Sequence, residues 1–413
     1  MRIILVLLIV ILLPYRALAI DDGEELDLNL LIEEALKSNP EIETARQQWE
    51  VTKKDVPQAL SLEDPQISIT QWSIPSNFNI GDADETWYGI GQSFPFPGKL
   101  ALRGEISAKE ADISEQMYLA KGRELAAAVK LAYYQLFLIH KSIDLHLEHQ
   151  ALLEEFIQIA EHKYALGQVS QQDILKAQVE MSRLHNSLLL LEQDKISMQA
   201  GINTLLNRPP ETPLGRPEEV SYRHFPVTLE GLQQQALDVK PELKAAAITI
   251  EKSEKAKSLA GKNYLPDFMV EIQYWDVHTG PNRWMAMGKI NLPWIFKTKY
   301  DARTQQAAAE GKKALAEYIV VRNRTLFELK DLFVKIKTAE HLIEVYKDGV
   351  LPQAEQSLAA SRIGYLAGKV DFLNLIDSER TLRDFQLEYY AALTQYEQSI
   401  ARLEREVGTE LRF

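Results

Sequence analysis

Three landmarks recur along this chain at one fixed spacing. Pro40 returns as Pro241, Pro65 as Pro266 and Gly167 as Gly368, each 201 residues later (241 − 40, 266 − 65, 368 − 167). Their neighbours travel with them: Ala35-Leu36 before Pro40-Glu41-Ile42 becomes Ala236-Leu237 before Pro241-Glu242-Leu243. Around the glycines, Tyr164, Gly167 and Val169 answer to Tyr365, Gly368 and Val370. The period is far longer than the roughly 20–50 residues of solenoids and propellers, so the chain reads as one unit written twice.

Each copy carries the same succession of elements. Residues 28–60 place Leu31, Ala35, Ile42, Ala45 and Trp49 at helical spacing, with Pro40 dividing the helix. Residues 66–73 alternate Ile67 and Ile69 with Ser68 and Thr70, and residues 85–94 alternate Tyr88 and Ile90 with small residues. These are strands, joined by a loop of Pro, Ser, Asn, Gly and Asp. The second copy repeats them at about 268–277 and 283–292. Residues 98–207 then contain no proline, and Ile174, Ala177, Met181, Leu184, Leu188 and Leu191 form a narrow apolar seam resumed at Met198, Ile202 and Leu205. Phe385, Tyr389, Ala392, Tyr396, Ile400, Leu403 and Val407 form its counterpart. Such seams predict coiled-coil hairpins, at about 98–207 turning at Gly167 and at about 297–407 turning at Gly368; ordinary amphipathic helices are the alternative. Gly311, Gly349 and Pro352 are the weak points of the second hairpin.

The expected organisation is therefore an export signal over residues 1–19, a first repeat over 20–208, a proline-rich crossing over 209–227 and a second repeat over 228–413. The signal rests on Arg2, an unbroken apolar run over residues 3–13, Pro14, and the small-x-small triplet Ala17-Leu18-Ala19. A retained anchor is the alternative, but the run is short for a membrane span. With no cysteine, disulfides, thiolate metal sites and a lipid on cysteine are excluded. The net charge of −13 argues against nucleic acid as a partner.

Strands of about ten residues suit a tilted crossing of an outer membrane, and Trp72, Trp87, Tyr88, Tyr274, Trp275, Trp284 and Trp294 lie in or beside them as interfacial aromatics would. Four strands cannot close a barrel, and open edges are not tolerated in lipid. Either the sheet is soluble and packed on helices, or several chains share one barrel. The similar strand lengths and the excess of helix favour sharing.

The run SFPFPGKLALRGE at residues 93–105 and the run GYLAGKVDFLNLIDSERTL at 364–382 resemble the TolC family of outer-membrane efflux proteins, and within it the branch of CzcC and CusC that serves heavy-metal pumps of the RND type. The similarity spans about residues 28–407. It implies a mainly α fold with a membrane β-barrel contribution: a homotrimer whose four strands per chain close a 12-stranded barrel in outer-membrane lipid, continued by an α-barrel of helical hairpins in the periplasm. Relatives in this branch often carry lipid on an N-terminal cysteine, which this chain lacks. The resemblance further implies a periplasmic adaptor and an inner-membrane pump as partners, and a passive, gated exit duct with no cofactor. Heavy-metal cations are the implied cargo; a duct for organic compounds or proteins, or a soluble periplasmic coiled-coil scaffold, are the alternatives.

On this resemblance the hairpin tips, with Gly167, Val169 and Ser170 in one and Gly368, Val370 and Asp371 in the other, would dock the adaptor. Ser170 and Asp371 are also suited to plain helix capping. Asp173 and Asp377 match acidic residues that line the closed periplasmic mouth in the family; Asn374 stands where another member carries an acid. First-turn acids favoured by the helix dipole are the alternative reading of both. His146 and His149, three apart on a helix with His140 nearby, are expected on a solvated face, because no acidic partner in sequence completes a metal set. No catalytic triad, phosphate loop or paired carboxylates suggest an enzyme.

Overall fold

Proline and glycine place the element boundaries. A computed structural model describes residues 25–76 and 78–411; the expected export signal lies outside them. Helix α1 (Leu28–Ser38) stops where Asn39 caps α2 (Pro40–Leu60), its side-chain oxygen accepting from Glu41 N at 2.8 Å. Pro40 sits at the first helical position, where its missing N–H costs nothing. Two long helices follow, α3 (Lys99–Ala165) and α4 (Gln171–Leu205), then α5 (Leu229–Val239) and α6 (Pro241–Lys262). The second hairpin comprises α7 (Lys297–Val345), α8 (Leu351–Leu366) and α9 (Phe372–Val407).

Of the three weak points in that hairpin, Gly311 lies within unbroken α7, whereas Tyr346–Val350 forms a π-turn that contains Gly349 and directly precedes the turn of Pro352. Pro352 has no N–H to donate, and its ring would press on the carbonyl four residues back; the wider π-turn relieves both.

The chain packs as two compact units, and each draws on both halves of the sequence. One gathers described residues up to 35, 128–223 and 339–398; the other gathers 36–127, 224–338 and those from 399 onward. The repeat is thus a unit of sequence, not of packing.

In the first unit, α3, α4, α8 and α9 share a core of Leu153, Phe156, Ala177, Leu184, Leu358 and Leu375 among others. The two seams lie inward: Ala177, Leu184 and Ile202 on α4 and Ala392 and Tyr396 on α9 are buried in this unit, and Ile400, Leu403 and Val407, where α9 runs on into the other unit, are buried there. The proline-rich crossing is pinned. Its residues Arg216–Pro217 pair in parallel with Glu25–Leu26, and Tyr133 Oη donates to Leu26 O at 3.1 Å while accepting from Glu218 N at 2.9 Å. With these two short strands as β1 (Glu25–Leu26) and β4 (Arg216–Pro217), the remaining strands form one sheet in the second unit.

That sheet is antiparallel, in the order β2 (Gln66–Trp72), β3 (Glu85–Phe94), β5 (Phe268–Val277), β6 (Arg283–Ile290). The two copies join along β3 and β5, with Tyr88 opposite Tyr274 and Trp87 opposite Trp275. Strands β2 and β6 are the edges. At the helical end, the Pro97-Gly98-Lys99 turn explains one motif of the sequence: Gly98 takes φ +86°, and buried Lys99 donates from Nζ to Asp267 Oδ1 and Leu265 O, both at 2.8 Å.

Candidate functional site

Both hairpins turn by the same hydrogen-bond device. Gln168 N donates to Lys163 O at 2.9 Å and Gly167 N to Tyr164 O at 2.8 Å; Lys369 N donates to Gly364 O at 2.9 Å and Gly368 N to Tyr365 O at 3.1 Å. This is the paired six-to-one and five-to-two closure of a helix C-terminus, which requires a left-handed residue after the last turn. Gly167 and Gly368 supply it at φ +71° and +70°. The repeated Tyr-x-x-Gly spacing is the sequence trace of this turn.

The next helix then starts differently in each copy. Asp371 caps α9, accepting from Asn374 N at 3.0 Å. Ser170 stands at the start of α4 without a side-chain cap bond. Capping thus accounts for Asp371 but not for Ser170, which is exposed. Val169 and Val370 are half-buried, and Val370 packs on Gly364, where an added Cβ would lie 2.5 Å from Val370 Cγ2.

The two tips meet in one cleft of about 760 Å³. Tyr365, 2% exposed, stacks edge-on against Phe372 at 5.3 Å. Burial, with the Asp173 charge adding to it, pushes its hydroxyl up to about 12. Its counterpart Tyr164 is 46% exposed, so the copies have diverged here. Asp173 is half-buried in this cleft; Asp377 and Asn374 are exposed on α9.

About three to five helical turns from the tips lies a buried charged network that the sequence did not announce. His149 is buried, its Nδ1 2.8 Å from Glu379 Oε1 and its Nε2 2.7 Å from Gln386 Oε1. Arg383 Nη1 lies 3.5 Å from Glu379 and its Nη2 3.5 Å from Glu180, which also binds Arg380. The expectation of a solvated histidine face is therefore corrected: His146 and His149 are buried, and the acidic partner of His149 is more than 200 residues away in sequence. Burial acts to raise Glu180, but the Arg380 hydrogen bond and the Arg380, Arg383 and Arg183 charges outweigh it and hold the carboxyl below its usual range. Burial pushes His146 down, against a hydrogen bond to Ser142 O. Among the described residues, no group of three His, Asp or Glu is placed to hold a metal ion.

In the second unit the sheet has two chemically different faces. One carries Ile67, Ile69, Tyr88, Ile90, Val270, Ile272, Trp284 and Ile290, all exposed, with Ile67 at 80% and Ile272 at 47%. The other carries Ser68, Glu271, Gln273 and Lys289; Glu271 is 6% exposed and bonds Ser68, Gln273 and Lys289. An apolar face backed by a face of satisfied polar residues is the alternation expected of strands between lipid and water. The register divides the aromatics expected at the interface. Tyr88, Tyr274 and Trp284 lie on the apolar face, while Trp72, Trp87 and Trp275 stack on the polar one, because neighbours such as Trp87 and Tyr88 point to opposite sides.

Comparison with known proteins agrees with this architecture. The chain is 23% identical over 317 residues to the cobalt-zinc-cadmium resistance protein CzcC of Cupriavidus metallidurans, covering 75% of this chain and 74% of that protein. Its fold matches the outer membrane protein VceC of Vibrio cholerae (TM-score 0.80, 17% identity, 93% and 97% of the two chains) and CusC (TM-score 0.81, 16% identity, 92% of each). The family model described as outer membrane efflux protein matches twice, at residues 31–208 and 232–409, each bound again 201 residues on (232 − 31, 409 − 208). The chain belongs to the outer membrane efflux protein family.

Proposed function

We propose that this protein is the exit duct of a tripartite efflux system, built from three copies that close one 12-stranded barrel. The observation that carries this reading is the sheet. It is apolar on one side and polar on the other, and it ends in two edge strands, β2 and β6, that run in opposite senses. Open edges are not stable in lipid, whereas β6 of one copy beside β2 of the next continues the antiparallel order around a closed ring. The helical hairpins extend the duct into the periplasm. Their tips, with Val169, Val370 and Asp371 around the shared cleft and exposed Ser170 beside it in sequence, take the adaptor, and an inner-membrane pump of the RND type drives transport.

The cargo is heavy-metal cations. Resemblance to a cobalt-zinc-cadmium resistance protein supports this, and so does the acidic balance of the chain, net −13. Asp377, repeated by threefold symmetry, forms a carboxylate ring at the periplasmic mouth that favours cations, with Asp173 behind it. The metal is transient cargo and calls for no resident site.

Extraction of the outer membrane in mild detergent tests the assembly. A stable species of about three times the chain mass is expected, whereas a monomer in the soluble periplasmic fraction overturns the duct. A deletion strain tests the cargo: sensitisation to cobalt, zinc or cadmium supports the metal reading, and sensitisation to organic compounds alone contradicts it.

A further inference from the structure

We propose that the outer end of the barrel carries a second selectivity element, a belt of stacked tryptophans that limits cargo to small solutes. Within one chain the belt crosses all four strands. Trp72 on β2 stacks on Trp87 of β3 with centroids 5.2 Å apart and planes within 12°. Trp87 stacks on Trp275 of β5 at 4.3 Å and 9°. The Arg283 guanidinium of β6 lies 4.8 Å from the Trp275 ring centre. Each of these residues stands at the loop end of its strand, on the face that holds Ser68, Glu271 and Gln273.

The stack is fastened. Glu85 accepts from Trp87 Nε1 through one oxygen and from Arg283 Nη2 through the other, both at 2.8 Å. Trp275 Nε1 donates to Gln273 Oε1 at 3.0 Å. Parallel indoles at these separations are favourable pairs, and a guanidinium over the last ring adds a cation–π contact. With the indole N–H groups of Trp87 and Trp275 and both oxygens of Glu85 engaged, these two rings are held in place, and Trp72 stacks on them from the edge strand.

Barrel size makes this matter. About eight strands leave room only for side chains, and about sixteen leave an open aqueous channel. A twelve-stranded barrel lies between, so the inward side chains at each level decide its bore. On the same face, the levels nearer the helices place Gly89 between Ser68 and Gln273 and Gly91 between Gln66 and Glu271, so β3 contributes no side chain there and the lining is flexible and polar. The loop end is lined instead by three indoles per chain. The edges carry Trp72 on β2 and Arg283 on β6, so a neighbouring copy brings the Arg283 end of one stack to the Trp72 end of the next. The trimer then holds a continuous girdle that passes hydrated metal cations and excludes folded proteins and bulky organic molecules. This inference rests on the trimeric reading above.

The absence of native cysteine allows a direct test in intact cells. Ser93, on the belt face of β3 but at its helical end, is replaced in Ser93→Cys and challenged from outside with a maleimide too bulky for general porins. The expected result is slow labelling in the native background and acceleration of about tenfold or more when Trp87→Ala and Trp275→Ala are added. Ser76→Cys, on the exposed loop beyond β2, should label equally in both backgrounds. Equal labelling of Ser93→Cys with and without the belt overturns the proposal. Trp72→Ala alone, at the sheet edge, gives a smaller acceleration and serves if the double substitution fails to assemble. A mild-detergent gel of the same samples separates the two readings. An intact trimer with freely reactive Ser93→Cys removes only the belt, whereas no trimer in the parent protein removes the shared barrel as well.

Discussion

Lys163, at the end of the first long helix, donates from Nζ to the main-chain oxygen of Tyr365 at 2.7 Å and of Leu366 at 3.0 Å, at the end of α8. Those carbonyls belong to the last helical turn, where acceptors lack partners within the helix and the dipole favours a cation. One side chain thus ties the two tips together. Lys163→Met should loosen the junction by about 1–2 kcal/mol, the net worth of a charge-assisted hydrogen bond discounted for partial exposure. The measurement is amide exchange, with protection lost at residues 365–370 more than elsewhere in the hairpins. Unchanged exchange there would mean that the contact does not hold the tips.

The tip glycines separate two kinds of steric demand. Gly368→Ala imposes a left-handed backbone on a residue with a Cβ, at a cost of about 1–2 kcal/mol, with open space around it. Gly364 is ordinary helical backbone, but a Cβ there collides with Val370. Gly364→Ala should therefore destabilise the tip, and Val370→Ala should restore most of the loss; no second substitution of that kind rescues Gly368→Ala. Gly201, in the last two turns of α4 with nothing within 4 Å, should gain up to about 0.5–1 kcal/mol as Gly201→Ala. Thermal denaturation of the four variants in one detergent reads all three outcomes.

These contrasts show what the sequence made legible. The hairpins, their turns and the four strands follow from patterns confined to short windows: the Tyr-x-x-Gly turn, the 3-4 seam and the two-residue alternation. The charged network was hidden because its partners meet only through tertiary packing. His149 reads as one histidine among polar neighbours until α9 brings Glu379 and Gln386 against it. A trace was present in Glu379, Arg380 and Arg383, three charges beside the α9 seam, which a solvated helix has no reason to keep inward. The aromatic division was hidden for another reason. Trp87 and Tyr88 are adjacent, and only the pairing register shows which one faces the polar side.

The network predicts an acid response with a definite sign. His146 has its folded pKa lowered, so the unfolded chain takes up the proton first as pH falls. Its contribution is complete above the unfolded value of about 6.5 and is lost as pH falls from there through the folded value. Glu180 is also depressed; its contribution is complete above about 4.3 and is lost at more acid pH. The helices around this network should therefore soften in two steps, the first below about pH 6.5 and the second below about pH 4. Amide exchange across residues 142–150 and 376–386 follows both. His146→Gln should flatten the first step and leave the second, whereas an unaltered first step would assign it to another group.

The two acids proposed for the periplasmic mouth differ in their surroundings, and ion selectivity should rank them. Asp377 is exposed on α9, where its charge acts on passing ions through water; Asp173 is half-buried in the cleft of Tyr365, and part of its field falls on that phenol. Exposed charges are screened within about 8–10 Å at physiological salt, so only carboxylates close to the ion path shape permeation. In planar bilayers, Asp377→Asn should lower the cation-to-anion permeability ratio by about two- to threefold, and Asp173→Asn by less. The difference should shrink as salt is raised, because screening removes the longer-range part first. Asn374→Asp, which adds an exposed carboxylate one turn before Asp377, should raise the ratio. A ratio indifferent to Asp377→Asn and Asn374→Asp alike would place this face of α9 away from the proposed pore and turn attention to the polar face of the sheet, where Glu271 stands.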